Sequence, residues 1–355
     1  MDVSLAQSRR SLRSSHGGLR VVDVDVVVIG AGRSGLTAAH HLRRAGLTAV
    51  GAPGWEQAPA TFVMIDDSPS PGGTWQDRWA GLPVAAARVF DLPGMTSPSP
   101  DPTAPARDAV PVYFRQYEAA FALHVLRPAR VDRVRHDGER LAVHTHHVVR
   151  HEDKVVWRAR GVVNATGSWS RPFWPHIQGR ETFDGRQVHI RDLVDVAEVA
   201  DGHTVLVGAC SAAVHLLAAL SEVTNLTWVT RRPPRIADTD LTPAVRQAIA
   251  RGVAVARPEL VRIGRRGVWF RPGPVEEGWV DGPPFVAARS IVWATGFRPA
   301  VAHLTPLHLR LKTKDALDGP EVVAEPRLQL VGSSAPGGGG SPLVAVRNLL
   351  RLLGL

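Results

Sequence analysis

Two strand–turn–helix patterns on one chain of 355 residues constrain its architecture more than any other feature. The first reads Asp25-Val-Val-Val-Ile-Gly30-Ala-Gly32-Arg33-Ser34-Gly35, the second Thr204-Val-Leu-Val-Gly208-Ala209-Cys210-Ser211-Ala-Ala213. In each, an apolar, β-branched run enters a glycine turn and leaves it as a helix, which is the context that gives such a glycine pattern meaning. The expected fold is therefore α/β, with two Rossmann-like, three-layer domains.

The first turn is the more regular. Gly30 can make the tight turn because it lacks a Cβ, Gly32 allows a pyrophosphate close to the backbone, and Gly35 lets the helix pack on its strand. The helix is expected to start near Ser34 with its amide groups and dipole facing the phosphates, and Leu36, Ala39 and Leu42 facing the sheet. The following strand, Phe62-Val-Met-Ile, ends in Asp66-Asp67, later than the usual spacing of about 20 residues. The Gly/Pro-rich stretch 51–60 accounts for the delay as a surface insertion. Asp66 is preferred over Asp67 because it directly follows the apolar run.

The second unit ends its next strand, Leu226-Thr-Trp-Val, in Thr230-Arg231-Arg232. A carboxylate at this position accepts hydrogen bonds from a ribose diol, whereas arginine accommodates a 2′-phosphate. The opposite charges predict FAD at the first turn and NADPH at the second. Gly208 and Ala213 fit the pattern, but Cys210 stands where glycine gives the closest approach, so altered nicotinamide binding is expected. A solvated basic turn is the other reading of Arg231 and Arg232, since arginine is abundant in this chain.

Beyond the turns, three segments carry a family resemblance. Pro71-Gly72-Gly73-Thr74-Trp75-Gln76-Asp77-Arg78-Trp79 is similar to the Gly-Gly-x-Trp segment beside the flavin in class B single-component flavoprotein monooxygenases. That class comprises the flavin-containing, Baeyer–Villiger and N-hydroxylating enzymes. Asn164-Ala-Thr166-Gly167 and Trp293-Ala-Thr295-Gly296-Phe-Arg-Pro299 resemble its two crossings between FAD and NADPH domains. Phe183-Asp-Gly-Arg-Gln-Val-His189-Ile-Arg-Asp-Leu193 resembles its Phe-x-Gly-x-x-x-His fingerprint, with Leu193 in place of the terminal aromatic residue. The wording near Asp66–Trp79 and Thr227–Arg235 looks most like small bacterial oxidoreductases.

The resemblance implies an NADPH domain (169–290) inserted into an FAD domain (21–168 and 291–355), with residues 1–20 as a disordered basic arm. It adds Arg33, Asp67, Gly73, Thr74, Trp75, Trp79, Val131, Thr166, Gly167, Ala209, Ser211, Thr230, Thr295 and Gly296 to the cofactor positions. The implied chemistry is reduction of FAD by NADPH, formation of a flavin hydroperoxide with O2, and transfer of one oxygen atom to a ketone or soft nucleophile. An uncoupled NADPH-dependent flavin reductase or oxidase, and a non-catalytic FAD-binding protein with a degenerate second site, are the alternatives. No catalytic dyad stands out. Arg78 is a weak candidate for contact with the peroxide or nicotinamide, with a surface salt bridge as the alternative, and His189 reads as structural.

Composition narrows the partners. The net charge is +9, but the arginines are spread along the chain, so a basic surface is expected rather than a nucleic-acid footprint. A single cysteine excludes an intrachain disulfide and paired-cysteine redox chemistry, and Cys210 reads as a small semi-buried residue. No metal-ligand spacing and no membrane-length apolar run occur. The N-terminus lacks a secretory core, which suggests the cytoplasm, with an organellar targeting peptide as the alternative. The expected partners are a small-molecule substrate and O2; the oligomeric state stays open, a homodimer among the options.

Overall fold

A computed structural model describes residues 13–14, 19–87, 91–97, 101–274, 276–309, 321–322, 324–335 and 340–355. The first unit opens with β1 (Arg13–Ser14), β2 (Leu19–Ile29), α1 (Arg33–Arg44), β3 (Thr48–Ala49) and β4 (Thr61–Ile65). It continues through α2 (Val84–Ala87), α3 (Ala106–Ala120), β5 (Ala129–Asp137), β6 (Arg140–His147) and β7 (Lys154–Asn164). After the second unit the chain returns as β16 (Glu321–Val322), β17 (Glu325–Leu330) and α6 (Pro342–Leu353). The sheet order is β16-β17-β7-β2-β4-β3, parallel except for β16.

Why β2 and β4 are apolar on both faces follows from strand alternation. Val26, Val28, Phe62 and Met64 face the core formed with α1, α3 and α6. Val27, Ile29, Val63 and Ile65 face the opposite core, completed by the β5–β6 hairpin and by Leu304 and Leu307. Each fully buried aliphatic side chain contributes roughly 1.5–3 kcal/mol, so this strand pair anchors the layer stack. The buried acid inside β2, Asp25, is held by the Thr61 amide at 2.8 Å and by Arg160 at 3.3 Å.

The second unit contains β8 (Arg186–His189), β9 (His203–Val207), α4 (Ser211–Leu220), β10 (Asn225–Val229), α5 (Pro243–Ala250) and β11 (Ala256–Arg257). A small sheet of β12 (Leu260–Gly264), β13 (Gly267–Phe270) and β14 (Phe285–Ala287) follows, and then β15 (Ser290–Trp293). The parallel order is β11-β10-β9-β15-β8. Leu206, Trp228 and Val292 face α4 and α5, whereas Val205, Val229, Ile291 and Trp293 face the small sheet.

Several expectations need correction. β15 pairs with β8 and β9, so the return to the first unit lies beyond Trp293 rather than at residue 291. The strand-like runs Leu141–His146 and Lys154–Arg158 predict a small antiparallel insertion, but the second is not confined to one: the first half of β7 pairs with β6 and its whole length with β2. Most of the expected basic arm lies outside the described residues, but Arg13 and Ser14 pair antiparallel with Val21 and Arg20. After Ser341-Pro342 the spacing of Leu343, Val346, Leu350 and Leu353 predicts a helix with one apolar stripe; in α6 the buried positions are instead Ala345, Val346 and Leu349, and Leu343 is exposed.

Candidate functional site

The first turn folds as its residue types require. Gly30 has φ +99°, and a Cβ there would lie 2.6 Å from the Ala165 carbonyl. Gly35 packs so closely that a Cβ would fall 1.8 Å from the Gly30 oxygen. Gly32 differs: its φ is −76° and a Cβ would meet nothing within 4 Å. Glycine is therefore required there neither by the backbone nor by packing, and what its missing side chain leaves is an open cradle at the start of α1. That helix has no side-chain cap and no acid in its first turn, which leaves its N-terminal end suited to an anion. Gly73 lies over the cradle, with its Cβ position 3.3 Å from the Gly32 Cα.

Asp66 and Asp67 separate cleanly. Asp66 is buried; its Oδ2 accepts from the Ala31 amide at 2.6 Å and its Oδ1 from the Ser68 amide at 3.0 Å. Arg127, which is paired to Glu118 at 2.7 Å, stands 3.7 Å from Asp66 Oδ1. Asp67 turns outward to Arg130 at 3.2 Å. Val131 lies on β5, two residues beyond the Ala129 amide that donates to the Asp66 carbonyl. Arg33 is exposed and Ser34 half-buried at the start of α1.

In the second turn, Gly208 takes φ +131°, and a Cβ would strike the Ala294 carbonyl at 2.2 Å. Cys210 has φ −74° and ψ 164°, extended backbone open to any residue, and its Sγ lies 3.7 Å from the Ala294 oxygen. The loop thus accommodates cysteine without strain. Cys210 is exposed, not semi-buried as expected. Ala209 is exposed beside it, and Ala213 is fully buried against the strand. Ser211 opens α4 and donates to Asp240 Oδ1 at 2.6 Å. Thr230 points inward and accepts from the Trp279 indole at 2.9 Å. Arg231 and Arg232 are exposed, with no acid paired to them among the described residues.

The two crossings run antiparallel and are stitched together. Phe173 donates its amide to Gly296 at 2.9 Å, Arg298 to Arg171 at 2.9 Å, and Ala300 to Gly167 at 2.9 Å. The Thr166 hydroxyl donates to the Ala300 carbonyl at 2.8 Å, and the Thr295 hydroxyl to the Phe173 carbonyl. Behind them, His303 Nε2 meets Asn164 Oδ1 at 2.7 Å, and burial pushes the His303 pKa down to about 4. His189 is buried against Phe297 and Trp174, and burial lowers its pKa too, with the Gly296 carbonyl opposing. Both imidazoles are packed, neutral parts of the hinge.

Between the units, Arg78 stacks over Trp169 at 3.9 Å and over Trp75 at 5.1 Å. Burial lowers its pKa to about 10, against the opposing influence of Cys210 and Asp77. Arg78 is thus no surface salt bridge. Trp79 instead fills the apolar cluster with Leu82, Leu193 and Val188, joining the first unit to the second. Thr74 and Trp75 are half-buried at the junction. The residues missed in the sequence, Asn164, Asp240, Arg191 and Trp169, are brought in by tertiary contacts. Asp240 reaches Ser211 across 29 residues, and no local pattern encodes that.

Residues 87–318 match the family described as pyridine nucleotide-disulphide oxidoreductase. A solved flavin-containing monooxygenase from Stenotrophomonas maltophilia is 33% identical with a TM-score of 0.76, over 93% of this chain and 99% of that one. A Baeyer–Villiger monooxygenase of Streptomyces coelicolor is 28% identical over 91% of this chain, and an oxidoreductase of Bacillus subtilis, CzcO, 22% identical over 56%. The chain spans 61% and 52% of the length of these two curated relatives. The chain belongs to the class B flavoprotein monooxygenase family.

Proposed function

We propose that this family member is an FAD-dependent, NADPH-consuming monooxygenase acting on a small organic or soft-nucleophile substrate. The observation that carries the reading is the opposition of charge at two equivalent strand ends, with buried Asp66 after β4 and exposed Arg231 and Arg232 after β10. The residues present fit FAD: the open cradle at Gly32 takes a pyrophosphate, and the lone pairs left on Asp66 accept from a ribose diol. Bound flavin would supply hydride acceptance and reaction with O2.

The chain's own groups bind, orient and exclude water. Gly32 and the start of α1 receive the FAD phosphates, while Cys210, Ser211 and the start of α4 receive those of NADPH. Arg231 and Arg232 answer the 2′-phosphate. Trp75, Arg78 and Trp169 wall the junction and keep bulk water from it. His189 and His303 pack into the crossings, where burial favours their uncharged forms. The single cysteine cannot supply the dithiol that disulfide reduction requires. The demand for reduced NADPH fits a cytoplasmic enzyme; among the described residues no helix is long and apolar enough to cross a membrane.

The test is anaerobic addition of NADPH to the purified yellow protein, followed by measurement of oxygenated product per NADPH in air. Bleaching of the flavin and near-stoichiometric product are expected. Bleaching with release of hydrogen peroxide alone would mark an uncoupled oxidase, and no bleaching would mark a non-catalytic flavoprotein.

A further inference from the structure

The chain leaves the small sheet at Phe270 and re-enters it at Phe285, where β14 pairs with β13. A hairpin link needs only about 2–5 residues, and much longer links without regular structure usually serve a function. The second half of this one, residues 276–284, reaches across to β10 and β11 of the neighbouring parallel sheet. Val280 donates its amide to the Ala256 carbonyl of the edge strand β11 at 2.9 Å. The Trp279 indole donates to the Thr230 hydroxyl at 2.9 Å, and its ring packs against the core that contains Trp228. Gly278 takes φ +92°, and a Cβ there would lie 2.8 Å from the Pro233 ring. A Cβ at Gly282 would lie 3.2 Å from Cζ of the buried Arg257.

Two of these contacts grip the arginine turn. Residues 231–236 lie in neither helix nor strand, and among the described residues they make no backbone hydrogen bond. Pro233 and Pro234 have no amide hydrogen to give. Such a segment is fixed by its ends and by side-chain contacts rather than by a ladder. Thr230, which the indole holds, comes directly before Arg231, and Pro233, against which Gly278 packs, comes directly after Arg232. Both arginines therefore stand between two points of attachment to residues 278 and 279. They are exposed, so a 2′-phosphate gains from them only what remains after two long side chains and their backbone have been ordered. A backbone that is already held lowers that cost.

We infer that residues 276–284 form a strap that positions the arginine turn, with Trp279 acting through Thr230 and Gly278 through Pro233, and that the strap sets how strongly the second site prefers a 2′-phosphate. The inference rests on the proposed function, which places NADPH at this turn. Trp279 is a positioning residue: it acts on the phosphate through the turn and not by contact.

The test is calorimetric titration of the oxidised holoprotein with adenosine 2′,5′-bisphosphate and with AMP, which differ only in the 2′-phosphate. Trp279→Phe keeps an aromatic ring and removes the N–H, and Gly278→Ala pushes the strap off Pro233. Each is expected to weaken bisphosphate binding about fivefold and to leave AMP affinity within about twofold, at retained flavin content. In the Arg231→Ala/Arg232→Ala background, Trp279→Phe should change neither affinity, because the turn it positions has lost its charges. Equal weakening of both nucleotides would mark a merely structural tryptophan and overturn the inference. So would unchanged bisphosphate affinity in both variants, or a fivefold loss that persists without the arginines; either leaves the proposed NADPH site standing. A parent protein that binds neither nucleotide would instead overturn that site and the inference with it.

Discussion

The Ser211 hydroxyl donates to Asp240 Oδ1 at 2.6 Å, joining the first residue of α4 to the end of the segment that begins at Arg231. Asp240 is buried, and His215, one turn along α4, lies 3.7 Å from the same oxygen. The bond ties together the two halves of the proposed second site: the turn at Gly208 and the loop that carries Arg231 and Arg232. A hydrogen bond to a charged group is worth roughly 1.5–3 kcal/mol. Asp240→Asn should therefore raise the KM for NADPH five- to tenfold while leaving kcat within twofold and flavin content unchanged. An unaltered KM would show that the loop and helix are positioned independently.

The cradle at Gly32 makes an unusually clean test of the flavin site. Its backbone suits any residue, and a Cβ there meets open space. Gly32→Val should fold with a melting temperature near that of the parent and yet purify colourless. Gly35→Val, whose Cβ would collide with the Gly30 oxygen at 1.8 Å, should lose both colour and fold. Full flavin content in the Gly32 variant would remove the cofactor from this turn.

Stability should depend on pH through His303. Burial holds its pKa near 4 in the folded protein, against 6.5 in an unfolded chain. The unfolded state therefore binds the extra proton between those values, so the folded state is fully favoured above pH 6.5 and loses ground as pH falls toward 4. The whole window is worth about 3 kcal/mol at most. Urea melts of the protein and of His303→Gln from pH 7.5 to 4.5 should converge as the pH falls. Parallel curves would mean that the imidazole is not confined as the Asn164 contact implies.

Coenzyme preference should follow Arg231 and Arg232. Both are exposed, so their attraction for a 2′-phosphate is screened by salt. NADPH should be preferred over NADH at least tenfold in kcat/KM at low ionic strength, less in 0.5 M salt, and hardly at all in Arg231→Ala/Arg232→Ala. Equal efficiency of the two coenzymes in the parent protein would return these arginines to the status of a solvated turn.

What the sequence made legible was local. The turns at Gly30 and Gly208, the alternating faces of β2 and β4, and the burial of Asp66 rather than Asp67 all follow from a few adjacent residues. The boundary at β15 did not, because a strand's sheet is decided by its partners: Ser290–Trp293 pairs with segments 80 or more residues earlier. The stacking of Arg78 on Trp169 escaped for the same reason. Leu343 falls on the stripe that spacing predicts for α6 yet is exposed, because spacing alone gives a helix's apolar face but not its rotation against a neighbour; Leu349 packs against Gly161 instead.

Cys210 gives the sharpest remaining test, because it departs from the pattern of its own turn. Its backbone is relaxed and its sulfur leans toward the Ala294 carbonyl at 3.7 Å, so the cysteine does not distort the loop. It still adds a side chain at the exposed start of α4, where glycine would let a pyrophosphate come closest to the amide groups. Cys210→Gly should lower the Kd for NADPH about threefold in anaerobic titrations, with the flavin spectrum unchanged. Glycine also increases the freedom of the unfolded chain, a penalty of roughly 0.4–1 kcal/mol, so a small drop in melting temperature should accompany the gain. An unchanged or weaker affinity would show that the sulfur's lean toward Ala294 already clears the phosphate path, and that the turn is complete with cysteine in it.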